Sequence, residues 1–295
     1  MNRQSGVLTD MMQGVLPSLF LSHGAPTLPL TDTPARAFLQ QLGGELPRPN
    51  AILVVSAHWE TIVPTVNAVE RNDTIHDFGG FPRALYELQY PAAGSPSIAA
   101  RVSDLLRGSG IDCKTDGRRG LDHGAWVPLL LMYPQADIPV VQLSIQPHLG
   151  TQHHLAMGRA LAPLREEGVL IIGSGSMTHD LSEFRGHGAN DPAPDWVNSF
   201  ANWTHQSLMT GATDDLLNYR DLAPFAAKNH PTEEHFLPLY SALGAAGIQP
   251  RVERLHASST YSILRMDVYS FGATSAVAEG RNHSARQFAK KAGIL

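Results

Sequence analysis

Two rhythms of apolar and polar positions alternate along this chain. Apolar runs at residues 16–21 (LPSLFL), 51–56 (AILVVS), 139–145 (PVVQLSI) and 169–173 (VLIIG) are near-continuous, as in strands buried on both faces. Between them lie helix-period stretches at 34–42, 95–107, 124–132 and 151–166, the first stopped by Gly43 and Gly44. The first two runs and their helix match a βαβ unit of ~30 residues, which predicts parallel, neighbouring strands. Two further helices are expected at 195–209 and 232–245, followed by segments at 250–256 and 261–270 that read as an antiparallel hairpin.

Strands alternating with helices predict the α/β class: a single domain with a mixed, mostly parallel central sheet flanked by helices. No internal repeat and no linker rich in Gly, Ser or Pro divides the chain. The domain is expected over residues 16–272, between an N-terminal extension at 1–15 and a small, polar C-terminal tail at 273–295.

Composition narrows the function. The 295 residues carry 22 Lys+Arg and 27 Asp+Glu, a net charge of -5, with no basic block. Nucleic-acid and anionic-membrane partners both need clustered cations and are not expected. No stretch approaches the ~18 apolar residues of a membrane span, and the first residues do not read as a secretory signal. Cys113 is the single cysteine, which excludes an internal disulfide and points to a reducing, cytoplasmic setting. Against that one cysteine stand 14 histidines, so any transition metal would be held by imidazole and carboxylate.

In open α/β sheets ligands bind beyond the carboxyl ends of the strands. His23 follows LFLS, His58 follows ILVVSA, His148 follows VVQLSIQP and His179 follows VLIIGSGSMT. His23 and His58 fall on one rim and make half of a metal site. In Asn229-His230-Pro231-Thr232-Glu233-Glu234-His235, Asn229 or Thr232 caps a helix with His235 in its first turn, and spacing alone does not choose between His230 and His235 as a ligand. Glu233 and Glu234 read as a solvated pair favoured by the helix dipole. His123 precedes a helical stretch, with Asp122 as a cap or as its orienting partner.

Other motifs carry less. Gly173-Ser174-Gly175-Ser176 lacks the third glycine of a dinucleotide fingerprint and reads as a turn presenting His179. Ser176, His179 and Asp180 lack the Gly-x-Ser-x-Gly elbow of a nucleophilic triad. His153 and His154 read as surface residues, and Trp59 as packing or as a pocket wall beside His58.

Seven segments in order complete the picture: SHGAP (22–26), SAHWE (56–60), DFGGFPRALYELQYP (77–91), LDHGAWVPL (121–129), GSGSMTHDL (173–181), HPTEEHFLPL (230–239) and YSFG (269–272). Together they resemble the class III extradiol ring-cleavage dioxygenases, in the DOPA 4,5-dioxygenase-like branch, over about Leu16 to Gly272. The resemblance implies His23, His58 and His235 as metal ligands, His179 as the mobile catalytic histidine and His123 as a pocket histidine on the substrate hydroxyl or oxygen. His230 belongs to the matching motif without a clear role. Two departures, Ala25 in the first segment and Ala93 in the Tyr90-to-Gly94 stretch, leave every implied ligand in place and bear on the substrate.

The implied reaction opens a small aromatic diol with O2 to a muconic semialdehyde on one divalent metal per chain. The metal is Fe(II) for catalysis, or Zn(II) as purified, because three neutral histidines also suit zinc. His179 acts as base on the catechol and later as acid, a role worth ~10² to 10⁴-fold. A zinc-dependent hydrolase or lyase on the same fold, and a non-catalytic binding protein that keeps the pocket, are the rivals. A monomer or small homo-oligomer is expected.

Overall fold

The computed structural model describes residues 14–272. The expected C-terminal tail, and all but the last two residues of the expected N-terminal extension, lie outside the described residues.

Among the described residues ten strands form: β1 (Ser18–Ser22), β2 (Ala51–Glu60), β3 (Thr65–Asn67), β4 (Lys114–Asp116), β5 (Val140–Ile145), β6 (Val169–Gly175), β7 (Val252–His256), β8 (Ser259–Thr260), β9 (Leu264–Arg265) and β10 (Val268–Phe271). Eight build one sheet in the order β4-β3-β5-β2-β6-β1-β10-β7, and β8 pairs with β9 apart from it. The centre, β5-β2-β6-β1, is parallel, and β10 and β7 close one edge antiparallel. The expected α/β fold is the one observed.

Side-chain alternation assigns each strand residue to a layer. Ile52, Val54, Leu170, Ile172, Leu19 and Leu21 meet one layer of the core, whereas Leu53, Val55, Val169 and Ile171 meet another. The first is covered by helices α1 (Pro34–Glu45) and α4 (His123–Met132). The second is covered by α3 (Pro96–Gly108) and α5 (Gly150–Leu161), α2 (Arg83–Tyr86) being a single turn between β3 and α3. After β6 come α6 (Asp195–Thr210), the short α7 (Thr213–Leu217), α8 (Tyr219–Leu222) and α9 (Ala226–Asn229), and then α10 (Leu237–Ala245). Phe20, Tyr269 and Phe271 pack with α6 and α10 in a third cluster. Burial on both faces explains why the strands are apolar throughout.

Helix starts follow local chemistry. Thr33 accepts from the Arg36 N–H at the head of α1, and Ser95 accepts from the Ile98 N–H at the head of α3, each with proline next.

Four expectations are corrected. β1 and β2 are parallel but not neighbours, because β6 inserts between them. The α1 helix runs through Gly43 and Gly44, and a Cβ on Gly43 would lie 2.0 Å from the Met132 carbonyl oxygen, so that glycine allows α1 to approach α4. The helix expected from 232 begins at Leu237, which leaves His235 ahead of it. The segment 261–270 is broken into β9 and β10. Among the described residues no helix is long and apolar enough to cross a membrane.

Candidate metal centre and active site

Five histidines converge beyond the carboxyl ends of the parallel strands. His23 is the first residue after β1, and its N–H donates to the Gly175 carbonyl at the end of β6 (2.9 Å). His58 lies where β2 leaves register with β5, between the pairs Val55–Leu143 and Glu60–Ile145. Extra residues in one strand turn side chains out of the regular alternation, and here they re-aim an imidazole. His235 is held from the other side, since its carbonyl accepts from the Ser176 N–H (2.8 Å). His123 opens α4. His179 lies on the turn after β6, with its N–H donating to the Asn229 carbonyl (2.8 Å).

Hydrogen bonds at the outer nitrogens fix the tautomers of His23 and His235. Ser174 Oγ donates to the Gly124 carbonyl and therefore accepts from His23 Nδ1 (3.0 Å). The His235 Nδ1–H donates to Glu234 Oε1 (2.9 Å). His58 Nδ1 lies 3.6 Å from Asp77 Oδ2. The remaining Nε2 atoms then face one another, His58 Nε2 standing 3.0 Å from that of His23 and 3.2 Å from that of His235. With the Nδ1 protons of His23 and His235 committed, their Nε2 atoms present lone pairs, and one proton on His58 Nε2 serves only one of the two. Opposed lone pairs at that range repel unless a cation lies among them, so the donor set fits a divalent transition metal. Burial, reinforced by the neighbouring imidazoles, holds His23 and His235 well below the usual imidazole pKa, which keeps their nitrogens free as ligands. Burial does the same to His58 despite the opposing pull of Asp77.

His123 and His179 flank this trio. The His123 ring centroid is 3.8 Å from that of His58, and its Nδ1–H and backbone N–H both donate to Asp77 (2.9 Å each). Burial opposes ionisation of Asp77, but the bonds from His123 overcome it and bring its pKa to about 2. His179 stacks on His235, with ring centroids 3.3 Å apart and planes 13° from parallel. Burial and the nearby His123 lower its pKa to about 4. Donor atoms of His23, His58 and His123 lie within 4.8 Å of one another, as do those of His179, Glu234 and His235.

Other expectations change. Asp122 does not orient His123: it accepts from Ser56 Oγ, Arg119 and Gln142, and the orienting carboxylate is Asp77. Glu233 and Glu234 are not a solvated pair, since Glu233 accepts from the Tyr219 hydroxyl and Glu234 from His235. His230 is fully buried, donates from Nε2 to the Met177 carbonyl (2.9 Å) and packs against Phe200 and Phe236, outside the cluster. His154 is buried, not on the surface; its Nδ1–H donates to the Gly150 carbonyl and its Nε2 accepts from the Gln146 N–H. His148 is exposed and apart. Ser176 Oγ donates to the Thr178 carbonyl, as a turn residue does. Trp59 is buried beneath the Arg119 guanidinium rather than lining the pocket. Asp77, Ser174 and Glu234 were missed as partners of the histidines; each lay inside a recognised segment without spacing that singled it out.

A model of the catalytic LigB subunit of aromatic ring-opening dioxygenase matches residues 17–271. The chain belongs to that family. Among the LigB family's curated relatives, the 4,5-DOPA dioxygenase extradiol of Beta vulgaris is 48% identical over 261 residues, covering 87% of this chain and 97% of that protein. The protein of the same name from Escherichia coli K12 is 46% identical over 233 residues, covering 78% and 85%. A crystal structure of an uncharacterized protein from Escherichia coli K12 superposes with a TM-score of 0.72 at 37% identity, over 87% of this chain and all of that one. This LigB-family chain is an extradiol aromatic ring-cleaving dioxygenase, and its reaction takes an aromatic substrate and O2.

Proposed function

We propose that this dioxygenase cleaves a DOPA-like catechol beside its diol to a muconic semialdehyde, with His23, His58 and His235 holding one Fe(II). The observation that carries the ligand assignment is the convergence of three Nε2 atoms, with the Nδ1 atoms of His23 and His235 engaged elsewhere and that of His58 facing Asp77. The catechol class draws on the relatives named 4,5-DOPA dioxygenase extradiol. Fe(II) held by these three histidines would supply a Lewis acid with redox chemistry toward dioxygen, which zinc would not.

The protein's own groups move the protons. With a pKa of about 4, His179 is a free base near neutral pH and takes a proton from the catechol hydroxyl, returning it later as acid. His123 donates through Nδ1 to Asp77, so its Nε2 lone pair is left to accept from the second hydroxyl. Phe78, Phe81 and Phe184 line the cavity and exclude water from the ring. Cys113, buried and unpaired, supports a cytoplasmic location.

Metal-free protein reconstituted anaerobically with Fe(II) or Zn(II) tests this. Oxygen uptake with a yellow product from L-DOPA in the iron sample alone is expected. His23→Ala, His58→Ala and His235→Ala are each expected to lose stoichiometric metal, whereas His179→Ala keeps metal and loses ~10² to 10⁴-fold in turnover. Full metal content in His235→Ala would overturn the ligand set. Anaerobic hydrolysis by the zinc sample would favour a hydrolase.

A further inference from the structure

The cavity over the histidines has a volume of about 310 Å³. Away from the imidazoles its walls are mostly apolar, and Arg185 is the one permanently charged side chain among the lining residues. No acidic side chain lines it.

Carboxylates close to Arg185 along the chain are engaged with other groups. Asp180 accepts from the N–H and hydroxyl of Ser182, Glu183 lies 3.4 Å from Lys228, and Asp191 accepts from the Gly188 N–H. Among the described residues no carboxylate pairs with Arg185.

Its segment is nevertheless fixed in place. The Tyr261 N–H donates to the Ala189 carbonyl (3.2 Å), Ser262 Oγ donates to the Pro192 carbonyl (2.8 Å), and the Tyr261 ring lies 4.8 Å from that of Phe184. Tyr261 and Ser262 have φ of 53° and 64°, a left-handed pair that non-glycine residues keep only where the surroundings hold them. Strain of this kind gathers at ligand clamps, and this turn braces the wall that carries Arg185.

We propose that Arg185 is a specificity-determining residue that pairs with a carboxylate on the catechol's side chain, so that the enzyme prefers carboxylate-bearing catechols to those bearing only an ammonium. The guanidinium matches a carboxylate through two parallel N–H···O bonds. An ammonium group there meets apolar walls and a like charge. With the diol at the histidines, the side chain of the substrate extends toward the exposed Arg185. The inference rests on the ring-cleavage reading above, and its test separates the two.

Calorimetry of dihydrocaffeate and dopamine binding to Zn(II)-loaded protein without oxygen reads the preference directly. Values of kcat/KM for the Fe(II) protein with both compounds and with 4-methylcatechol read it in turnover. Wild type is expected to favour dihydrocaffeate by about tenfold or more, as a charge-assisted hydrogen bond allows. Arg185→Gln brings the ratio near one, Arg185→Lys keeps part of it, and Arg185→Glu reverses it toward dopamine. An unchanged ratio in Arg185→Gln and Arg185→Glu overturns the proposal. Absence of cleavage with every catechol would sink the ring-cleavage reading, while the binding ratio would still decide for or against Arg185.

Discussion

Asp77 meets two imidazoles at once: it accepts from His123 and stands 3.6 Å from His58 Nδ1. A carboxylate that stays ionised behind a histidine fixes its tautomer and raises the basicity of its other nitrogen. Asp77→Asn keeps the shape and removes the charge. Its turnover number is expected to fall about 10- to 100-fold with the circular dichroism spectrum unchanged. A loss below twofold would take Asp77 out of the mechanism. The conserved shape of the amide makes this a test of charge rather than of packing.

Between β6 and α10 there is almost no space. A Cβ on Gly173 would lie 2.1 Å from the Pro238 carbonyl oxygen, in the first turn of the helix that follows His235. That contact sets the height of α10 against the sheet and with it the position of the imidazole. Gly173→Ala is expected to lower stability by roughly 1–3 kcal/mol, read as a lower urea midpoint. It should also weaken metal binding, since the displaced helix starts two residues after His235, a proposed ligand. A variant with wild-type midpoint and wild-type metal affinity would mean that α10 yields without cost. The bulged end of β2 acts at the same scale, because regular pairing through Ser56–Glu60 would give His58 a different direction.

Burial of neutral histidines couples the whole molecule to pH. Burial lowers the pKa of His154 to about 3, against the pull of the Gly150 carbonyl, and that of His230 to about 3 as well. In the unfolded chain both titrate near ~6.5. Between those limits the unfolded state binds more protons, so stability is fully present above ~6.5 and declines as pH falls toward about 3. The urea midpoint is expected to drop steadily between pH 7 and pH 4. His154→Gln, which removes one titrating group, should flatten that slope. An identical slope in the variant would place the acid sensitivity elsewhere.

By itself the sequence determined the α/β class, the buried parallel strands, the strand ends that bear His23, His58 and His179, and the capped starts of α1 and α3. These are legible because periodicity, capping and strand-end position are local properties of the chain. Family-like segments added His123 and His235, which periodicity alone left beside alternatives. Tertiary structure decided the rest. It inserted β6 between β1 and β2, and it carried Gly43 through a helix because a neighbouring backbone needed the space. His230 entered an apolar cluster while His235, five residues on, turned to the imidazoles. Asp77 came to His123 from 46 residues away, and Arg185 came to the same cavity on a segment braced by Tyr261 and Ser262. Contacts between distant residues depend on how layers stack and which strands pair, and a local pattern of apolar and polar positions does not specify them.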